Sequence, residues 1–180
     1  YDVDNARRSA TVRFHLAVKS DKVINNPYNK RQEVLAKKVQ RGEIRSKDGK
    51  VLAKTKTDST GKDTRIYPYD EIFAPVVGRI SNSMTGIEKQ QCYPLLTSHV
   101  NPLRQLTNTL KGEKNPGDSV ITTLDAKLQT IAYQALGNHK GAVVAIEPST
   151  GKVLAMVSKP SYDPNTVAKN WSSKSEAKRS

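Results

Sequence analysis

The stretch 141–165 reads GAVVAIEPSTGKVLAMVSKPSYDPN and decides the fold of the segment around it. Two apolar runs, 143–146 and 153–157, flank a Pro-Ser-Thr-Gly turn and lead into an exit that is broken by proline. Continuous apolar runs of this length beside a turn are typical of strands that are covered on both faces. We therefore predict a β-hairpin buried on both faces, and we expect none of its residues to be catalytic.

The segment before this hairpin carries the signals of a linker, a strand and a helix. The Asn-Pro-Gly-Asp sequence of 115–118 is typical of a linker, and Val-Ile at 120–121 predicts a short strand. Asp125 can cap the helix that follows, and Gly137 ends it. The apolar residues of this helix are expected on one face: Leu128, Ile131, Ala132, Ala135 and Leu136.

The first hundred residues alternate short strands with turns. Alternating apolar and polar residues over 11–18 predict a half-exposed strand, whereas 34–41 fits a helix or a strand. Asp-Gly at 48–49, between two apolar runs, predicts a β-hairpin over 43–55, since both residues tolerate a positive φ. A loop over 58–63 leads to a short strand at 64–67, which the proline at position 68 ends.

Two short helices are expected in the same region. Apolar residues recur every three or four positions over 69–80, which predicts an amphipathic helix with Pro75 inside it. Leucines keep helical spacing after Asn101-Pro102, and Lys111-Gly112 is a suitable helix exit. The fold class that these elements predict is α+β, with an elongated region of hairpins and short helices.

Composition leaves two partner classes open. The net charge of +13, from 30 Lys and Arg against 17 Asp and Glu, predicts attraction to polyanions. The basic residues are not interleaved with aromatic ones, which favours a solvated or anionic-surface-facing exterior over a nucleic-acid interface. Binding to nucleic acid by a basic α+β protein therefore remains an alternative function to the one that the motifs below indicate. The sequence as given contains no secretory leader and no apolar run of membrane-spanning length, so we expect it to be soluble.

Metal and cofactor sites are not expected. Cys92 is the only cysteine, so it can form neither an intrachain disulfide nor a thiolate zinc site, and we expect it to be a small buried side chain. The three histidines, His15, His99 and His139, lie far apart in sequence. We therefore predict no metal site and no cofactor.

Four stretches follow one another in the order found in class B penicillin-binding proteins. The stretch 41–53, an Arg-Gly pair and a hairpin ending in Leu-Ala, resembles the first motif of their non-catalytic pedestal domain. The stretch 65–78, which begins Arg-Ile-Tyr-Pro-Tyr, resembles the second motif, and Gly-Ile-Glu at 86–88 resembles the third. Residues 118–136 resemble the linker strand and first helix of the transpeptidase domain, directly before the hairpin of 141–165. An ordered set is far more specific than any one of its motifs.

The resemblance implies the N-terminal part of a membrane-anchored bacterial D,D-transpeptidase, which cross-links peptidoglycan through a serine acyl-enzyme. The implied partners are the catalytic domain of the same protein, wall-synthesis membrane proteins such as a shape or division glycosyltransferase, and a second copy in a homodimer. No nucleic acid is among them, and the implied location is the extracytoplasmic face of the membrane. The residues that carry the resemblance are expected to have interdomain or structural roles: Arg41, Gly42, Asp48, Gly49, Arg65, Tyr67, Pro68, Gly78, Gly86 and Glu88.

The resemblance also divides the chain into four parts. Residues 1–24 form a membrane-proximal segment, 25–117 the pedestal, 118–165 the start of the transpeptidase domain, and 166–180 a disordered tail. We further hypothesise that Arg41 and Glu88 pair and fix the hinge between the pedestal and the catalytic body.

The catalytic set of the family is missing from this sequence. Its serine needs a lysine one helical turn later, together with a Ser-x-Asn and a Lys-Thr-Gly sequence, and neither of these two sequences occurs here. Ser-x-x-Lys occurs at 59–62, 149–152 and 175–178, but the first two contain Gly within turns and the third lies in a charged tail. We expect the chain to be inactive on its own.

Overall fold

The computed structural model describes residues 30–81 and 83–167. The strand predicted over 11–18, the segment 1–24 and the tail from 168 onward lie outside the described residues. The described elements mix helices and strands, which is the α+β class expected. The helices are α1 Lys30–Lys38, α2 Ala74–Val77, α3 Gly86–Gln90, α4 Cys92–Leu95, α5 Pro102–Leu110 and α6 Ala126–Ala135. The strands are β1 Val39–Gln40, β2 Ile44–Arg45, β3 Val51–Thr57, β4 Asp63–Ile66, β5 Asn115–Pro116, β6 Val120–Ile121, β7 Gly141–Ile146 and β8 Val153–Lys159.

The strands form three small sheets. The largest has the order β4-β3-β2-β6, in which β6 runs parallel to β2 and the other neighbours are antiparallel. A second sheet pairs β1 with β5 in parallel, and a third is the antiparallel hairpin of β7 and β8. Because β6 comes from the second half of the chain, the largest sheet joins the two halves through backbone hydrogen bonds.

The first half of the chain follows most of its predictions. The hairpin over 43–55 is present as β2 and β3, and the strand before Pro68 is present as β4. The ambiguous stretch 34–41 is a helix up to Lys38 and a strand at Val39–Gln40. Asn101 caps α5, since its side chain accepts from Leu103 N at 3.1 Å, and Gly112 has a φ of +69° just after the helix, as the exit signal predicted.

The single helix predicted over 69–80 is wrong. The structure has a 3₁₀ turn at Asp70–Ile72, a break at Phe73 and then α2. Pro75 lies in the first turn of α2, where its missing N–H costs nothing, so it begins a new helix instead of interrupting one. Gly78 ends α2 with a φ of +82°.

The linker predicted at 115–118 is held inside the fold. Asn115 and Pro116 pair with β1, and Gly117 N donates to Gln40 O at 2.7 Å. Asp118 N donates to Thr97 O at 2.8 Å. The turn-forming sequence therefore gives a fixed crossing between the two halves of the chain.

The hairpin β7–β8 is buried on one face only, so the prediction of two buried faces is wrong. Ala155 and Val157 are buried on the face that packs against the rest of the structure. Val144 and Ile146 on the other face are 51% and 55% exposed, and Met156 beside them is also exposed. An apolar run shows that both faces suit an apolar environment, but it does not show which of them the described residues cover.

The face predicted for α6 is also wrong, because the fully buried side chain at its centre is Gln129. Gln129 Nε2 donates to Ile72 O at 2.9 Å and to Met156 O at 2.8 Å, while Gln129 Oε1 accepts from Met156 N at 2.7 Å. Ile131, which was expected inside, is half exposed. Burying an amide costs little when it is fully hydrogen-bonded, so α6 turns a polar residue inward.

Gln129→Ala should destabilise the chain by about 2–4 kcal/mol, since three backbone groups lose the partner that the buried amide gives them and a cavity is left. Chemical denaturation measures this free energy of unfolding. Ile131→Ala, on the exposed side of the same helix, is the matched control and should cost less than about 1 kcal/mol. Equal effects of the two substitutions would contradict the assignment of the buried face.

The predicted cap of α6 is confirmed. Asp125 Oδ1 accepts from Leu128 N at 2.9 Å, and Asp125 Oδ2 lies 3.0 Å from Lys47 Nζ. The hydrogen bond from Leu128 N, with that from Lys47, holds the pKa of Asp125 below its usual value.

Asp125→Ala should lower stability by about 1 kcal/mol at neutral pH, because the cap is lost. The folded state depresses the pKa of Asp125, so its charge stabilises the fold above the unfolded-state pKa, and this contribution disappears as the pH falls through the lower folded-state value. The stability difference between wild type and Asp125→Asn, which keeps the cap acceptor, should therefore shrink below about pH 4. Thermal unfolding from pH 7 to pH 3 measures it, and a difference that grows on acidification would contradict the assignment.

The main core crosses from the first half of the chain to the second. It is a cluster of buried residues: Ile44, Leu52, Ala53, Tyr67, Phe73, Val77, Leu95, Leu124 and Ala126. Leu124 and Ala126 belong to the entry into α6, so the two halves share buried apolar surface. Within the described ranges, no helix is both long and apolar enough to cross a membrane.

Candidate functional site

A buried carboxylate between two guanidinium groups lies at the centre of the predicted set. Glu88 Oε2 accepts from Arg41 Nε at 2.8 Å, and Glu88 Oε1 accepts from Arg65 Nε at 2.7 Å. Arg41 Nη2 also donates to the backbone oxygen of Glu88 at 2.6 Å. The pairing of Arg41 with Glu88 hypothesised from the sequence is present, and Arg65 joins it as a third member. We call Arg41, Arg65 and Glu88 the charged triad.

The triad ties three parts of the backbone together. Arg65 Nη1 donates to Gly42 O at 2.6 Å and to Thr55 Oγ1 at 3.0 Å. Arg41 comes from the chain before β2, Arg65 from β4 and Glu88 from α3. Because the Glu88 side chain is fully buried, its charge is compensated by the two arginines and not by solvent.

Burial of the triad is reflected in the titration of its surroundings. Burial is the largest single influence on the pKa of Arg41 and lowers it, but the attraction and hydrogen bonds of Glu88 and Cys92 together raise the pKa by more, so it is raised overall. The pKa of Tyr67 is also raised, first by burial and then by the nearby charge of Glu88. Tyr67 Oη accepts from Ile80 N at 3.2 Å. Arg41 and Tyr67 therefore stay protonated across the physiological range, which suits a structural role and not acid–base catalysis.

Gly42 lies against residues 117–118, where the chain crosses between its two halves. A Cβ added to Gly42 would lie 2.0 Å from Asp118 O, and one added to Gly117 would lie 2.2 Å from Leu95 O. Gly42 N donates to Leu95 O at 2.8 Å. Three backbone segments therefore meet without side chains between them, beside the arginine that precedes Gly42.

Gly78 and Gly86 form a second close approach. Both have positive φ, +82° and +58°, and a Cβ on Gly78 would lie 2.0 Å from Thr85 O. A Cβ on Gly86 would in turn lie 2.8 Å from Gly78 N. The two glycines let the end of α2 pack on the start of α3, which carries Glu88.

Asp48 and Gly49 lie apart from the triad, at the tip of the β2–β3 hairpin. Gly49 N donates to Ser46 O at 3.0 Å, which closes the turn. The neighbouring Lys47 N donates to Leu124 O at 2.9 Å, in addition to the Lys47 ion pair described above. Asp48 and Gly49 thus form the turn, and Lys47 beside them holds the hairpin tip against the start of α6.

The Tyr67-Pro68 sequence binds the segment that leaves β8. Tyr67 N donates to Asn165 Oδ1 at 2.9 Å, and Asn165 Nδ2 donates to Tyr67 O at 3.1 Å. Asn165 Nδ2 also reaches Asp70 Oδ1 at 2.8 Å. Pro68 itself is exposed.

Neighbouring residues extend this contact. Ser161 Oγ donates to Glu71 O at 2.8 Å, and the guanidinium of Arg79 lies 5.1 Å from the centre of the Tyr162 ring. The stretch 67–79 of the first half therefore contacts both α6 and the exit from β8.

The two Ser-x-x-Lys sequences within the described residues do not form a catalytic pair. Those at 59–62 and 149–152 lie in turns, where Gly61 and Gly151 have φ of +79° and +70°, and the third lies outside the described residues. In the parts of the chain that the structure describes, no group of three or more His, Cys, Asp or Glu side chains could hold a metal ion. His99 Nδ1 lies 2.5 Å from Asp118 Oδ2, and Cys92 is buried with its sulfur 3.5 Å from Arg41 Nη1. Over the ranges 30–81 and 83–167, the arrangement connects backbone segments and pairs no nucleophile with a base.

We call the contacts between the two halves of the chain, at Gly42, Gln129 and Asn165, the junction. Several residues in or beside it could not be predicted from the sequence. Gln129, Asn165 and Lys47 are polar and lie in a helix, a turn and a hairpin tip, where such residues are usually solvated. Only the proline-broken exit after β8 marked the region of Asn165 as unusual.

Two family models match the chain. The penicillin binding protein A dimerisation domain matches residues 41–120, and the penicillin binding protein transpeptidase domain matches residues 141–179. The charged triad, both glycine contacts and the crossing at 117–118 lie within the first match, whereas β7 and β8 lie in the second.

Known proteins agree with these models. The chain is 41% identical over 139 residues to the peptidoglycan D,D-transpeptidase PbpA of Mycobacterium tuberculosis, covering 72% of this chain and 28% of that protein. It is 33% identical over 134 residues to the peptidoglycan D,D-transpeptidase MrdA of Acinetobacter baumannii, covering 57% of this chain and 19% of that protein. The chain therefore spans less than a third of the length of these relatives.

A solved structure gives the same result. The imipenem acyl-enzyme complex of penicillin-binding protein A from M. tuberculosis superposes with a TM-score of 0.63 at 38% identity, covering 79% of this chain and 35% of that chain. Motif order, fold, family models and relatives point the same way. The chain belongs to the class B penicillin-binding proteins and contains their dimerisation domain followed by the beginning of their transpeptidase domain.

Proposed function

We propose that this chain is the non-catalytic part of a peptidoglycan D,D-transpeptidase and that it holds the catalytic domain in a fixed position. The observation that carries the proposal is the junction itself. The second half of the chain is held at the crossing beside Gly42, at Gln129 and at Asn165. These contacts are short, partly buried and made largely to the backbone, which suits a mechanical role.

The charged triad is the centre of this role in our proposal. It orders the backbone around Arg41 and Gly42, and Gly42 in turn contacts the crossing at 117–118. The hinge hypothesis is thereby extended, because Arg65 takes part on equal terms with Arg41. The remaining motif residues have supporting roles in this proposal. Asp48 and Gly49 form the hairpin tip, Tyr67 and Pro68 lie at Asn165, and Gly78 and Gly86 let α2 pack on the helix that carries Glu88.

We also propose how the exposed face of the hairpin is used. Val144, Ile146 and Met156 form an apolar surface on a strand pair that matches the start of the transpeptidase model. Further parts of a transpeptidase domain would cover this surface, which explains why both strands are apolar on both faces. The boundaries proposed for the pedestal and the transpeptidase start are 25–117 and 118–165.

The activity, place and partners follow as parts of the same proposal. A polypeptide that contains this chain and a complete transpeptidase domain would cross-link peptidoglycan on the outer face of the bacterial membrane. Its partners would be its own catalytic domain, membrane proteins of wall synthesis such as a glycosyltransferase, and a second copy. The alternative of a nucleic-acid-binding protein receives no support from the relatives, and salt-sensitive retention on generic DNA would be needed to revive it.

Fluorescent penicillin tests the proposal. The longer polypeptide should be acylated, whereas the 180-residue chain should not be labelled. In the longer polypeptide, Asn165→Ala should slow acylation at least about threefold, because a misplaced catalytic domain loses alignment. Thr166→Ala is the matched control, since its hydroxyl donates to the nearby Asp163 O and, among the residues that the structure describes, to no group of the first half, and it should leave the rate unchanged. Labelling of the short chain, or equal rates for the two variants, would contradict the proposal.

A further inference from the structure

Helix α5 presents its apolar side to solvent. Gln105 Nε2 donates to Val100 O at 3.2 Å, and Asn108 Nδ2 donates to Asn115 Oδ1 at 3.0 Å, so the polar side of the helix faces the protein. This is the reverse of an ordinary surface helix. The outward side is a row of leucines, here called the leucine ridge, with exposed fractions of 74%, 59% and 80%: Leu103, Leu106 and Leu110.

The hydroxyl groups beside the ridge are already satisfied. Thr107 Oγ1 donates to Leu103 O at 2.7 Å, and Thr109 Oγ1 donates to Gln105 O at 2.8 Å. Their donors are therefore used within the helix. The ridge can enter an apolar environment without leaving these donors unpaired, and it offers few directional groups to a protein partner.

Positive charge borders the ridge on one side. At 100° per residue, Arg104 and Lys111 lie along the same flank of the ridge, and the sequence 102–112 contains no acidic residue. Both side chains are exposed, and within the described ranges neither has a salt bridge of 4 Å or less. Glu113 is the exposed acidic residue that follows.

Helix α1 adds two lysines near the C-terminal end of α5. Because β1 and β5 are parallel, the chains that enter them, from α1 and from α5, approach from the same end of the strand pair. Lys37 and Lys38 close α1 and are exposed. Lys37 lines one cavity of about 730 Å³ with residues 112–114, which places the two helix ends side by side.

We propose that the leucine ridge rests on the surface of an anionic phospholipid bilayer. The leucines enter the boundary between headgroups and acyl chains, while Arg104, Lys111, Lys37 and Lys38 face the lipid phosphates. A second copy of the chain fits less well, since an antiparallel pair of ridges would bring two like-charged flanks together and 102–112 offers them no acidic partner. The inference rests on the proposed function only in placing the chain at a membrane, and it adds a lipid-facing side to it.

Binding to vesicles tests this inference with the full chain. Vesicles of phosphatidylcholine with about one-third phosphatidylglycerol should bind the wild type at least about fivefold more tightly than Leu103→Ser/Leu106→Ser/Leu110→Ser, which keeps every charge. The matched control removes as many exposed apolar side chains from the hairpin, Val144→Ser/Ile146→Ser/Met156→Ser, and should change binding less than about twofold. Arg104→Gln/Lys111→Gln should weaken binding at least about threefold, and only to vesicles that contain phosphatidylglycerol.

A fluorescence measurement locates the ridge directly. Leu106→Trp, in a Trp171→Phe background, should shift its emission to the blue and be quenched by brominated acyl chains when these vesicles are added. Ile146→Trp in the same background should show neither effect. Quenching that is equal at the two positions would overturn the inference.

The remaining outcomes are also decisive. Equal vesicle binding by the wild type and the ridge variant would overturn the inference. So would a wild-type dimer that the ridge variant abolishes while vesicle binding stays the same, since the ridge would then bind a second copy. Loss of penicillin labelling in the longer polypeptide would contradict the proposed function and leave these vesicle results unaffected.

Discussion

Glu88→Gln should destabilise the chain by about 3–5 kcal/mol, the largest effect that we expect from any single substitution in it. Glutamine offers one oxygen to two guanidinium groups and presents an NH₂ donor to the second of them. Two buried cations then remain without a counter-charge. For a chain of this size the melting temperature should fall by about 10 °C or more, which calorimetry measures.

A surface ion pair supplies the matched control. Glu43 Oε2 lies 2.5 Å from Arg45 Nη2, and both side chains are about one-third exposed or more. Glu43→Gln should therefore cost less than about 1 kcal/mol, because water replaces the lost partner. Similar losses for Glu43→Gln and Glu88→Gln would mean that burial of the triad does not matter.

A charge-free triad separates the loss of compensation from the loss of a contact. Arg41→Met/Arg65→Met/Glu88→Met should be more stable than Glu88→Gln, because it removes every buried charge at once. Exchanging the charges of Arg41 and Glu88 would be a poor test, because it would place an arginine at position 88 against Arg65. If Glu88→Gln yields no folded protein, folding of the triple variant still decides the question, and failure of both would contradict the proposed energetics.

Gly42→Ala should cost on the order of 3 kcal/mol and should loosen the crossing between the two halves of the chain. The added methyl group would lie 2.0 Å from Asp118 O, so the backbone at 117–118 has to move. Trypsin should then cut after Lys114 faster than in the wild type, because the β1–β5 pair, which begins at Asn115, opens more often. Time-resolved proteolysis and denaturation report the two effects separately.

Gly49→Ala is the matched control for this substitution. Gly49 has a φ of +77° with nothing within 4 Å of an added Cβ, so alanine there adds backbone strain of about 1–2 kcal/mol and no clash. Cleavage after Lys114 should stay at the wild-type rate. Equal cleavage of the two variants would mean that general instability, and not the crossing, controls access to this site.

The sequence predicted the elements better than it predicted their surroundings. The hairpin tip at Asp48-Gly49 and the cap at Asp125 depend on local hydrogen bonds and allowed backbone angles, and both are present as predicted. The pairing of Arg41 with Glu88 came from motif order and not from spacing. Arg65 as their shared neighbour could not be inferred, because which charges meet depends on how β4 and α3 pack.

Burial was the least predictable property. An apolar run in β7 and an apolar stripe on α6 both suggested covered surfaces, but Ile146 and Ile131 are half exposed, while Gln129 is fully buried. Hydrophobicity indicates which surface can be covered, whereas a polar side chain is buried only where the fold supplies donors and acceptors. Those partners, Ile72 O and the backbone of Met156, come from elements distant in sequence.

The contacts at Gly42, Gln129 and Asn165 also limit rotation between the two halves. A body attached at one point can swivel freely, and one attached at two points can still rotate about the line that joins them. A third attachment that lies off this line removes the last rotation, provided that all three hold at once. A pull on the region after β8 would therefore reach the N-terminal half as a torque that these three anchors share with the β2–β6 pair and the common core, and losing one anchor would lower the resistance to rotation about the line through the other two.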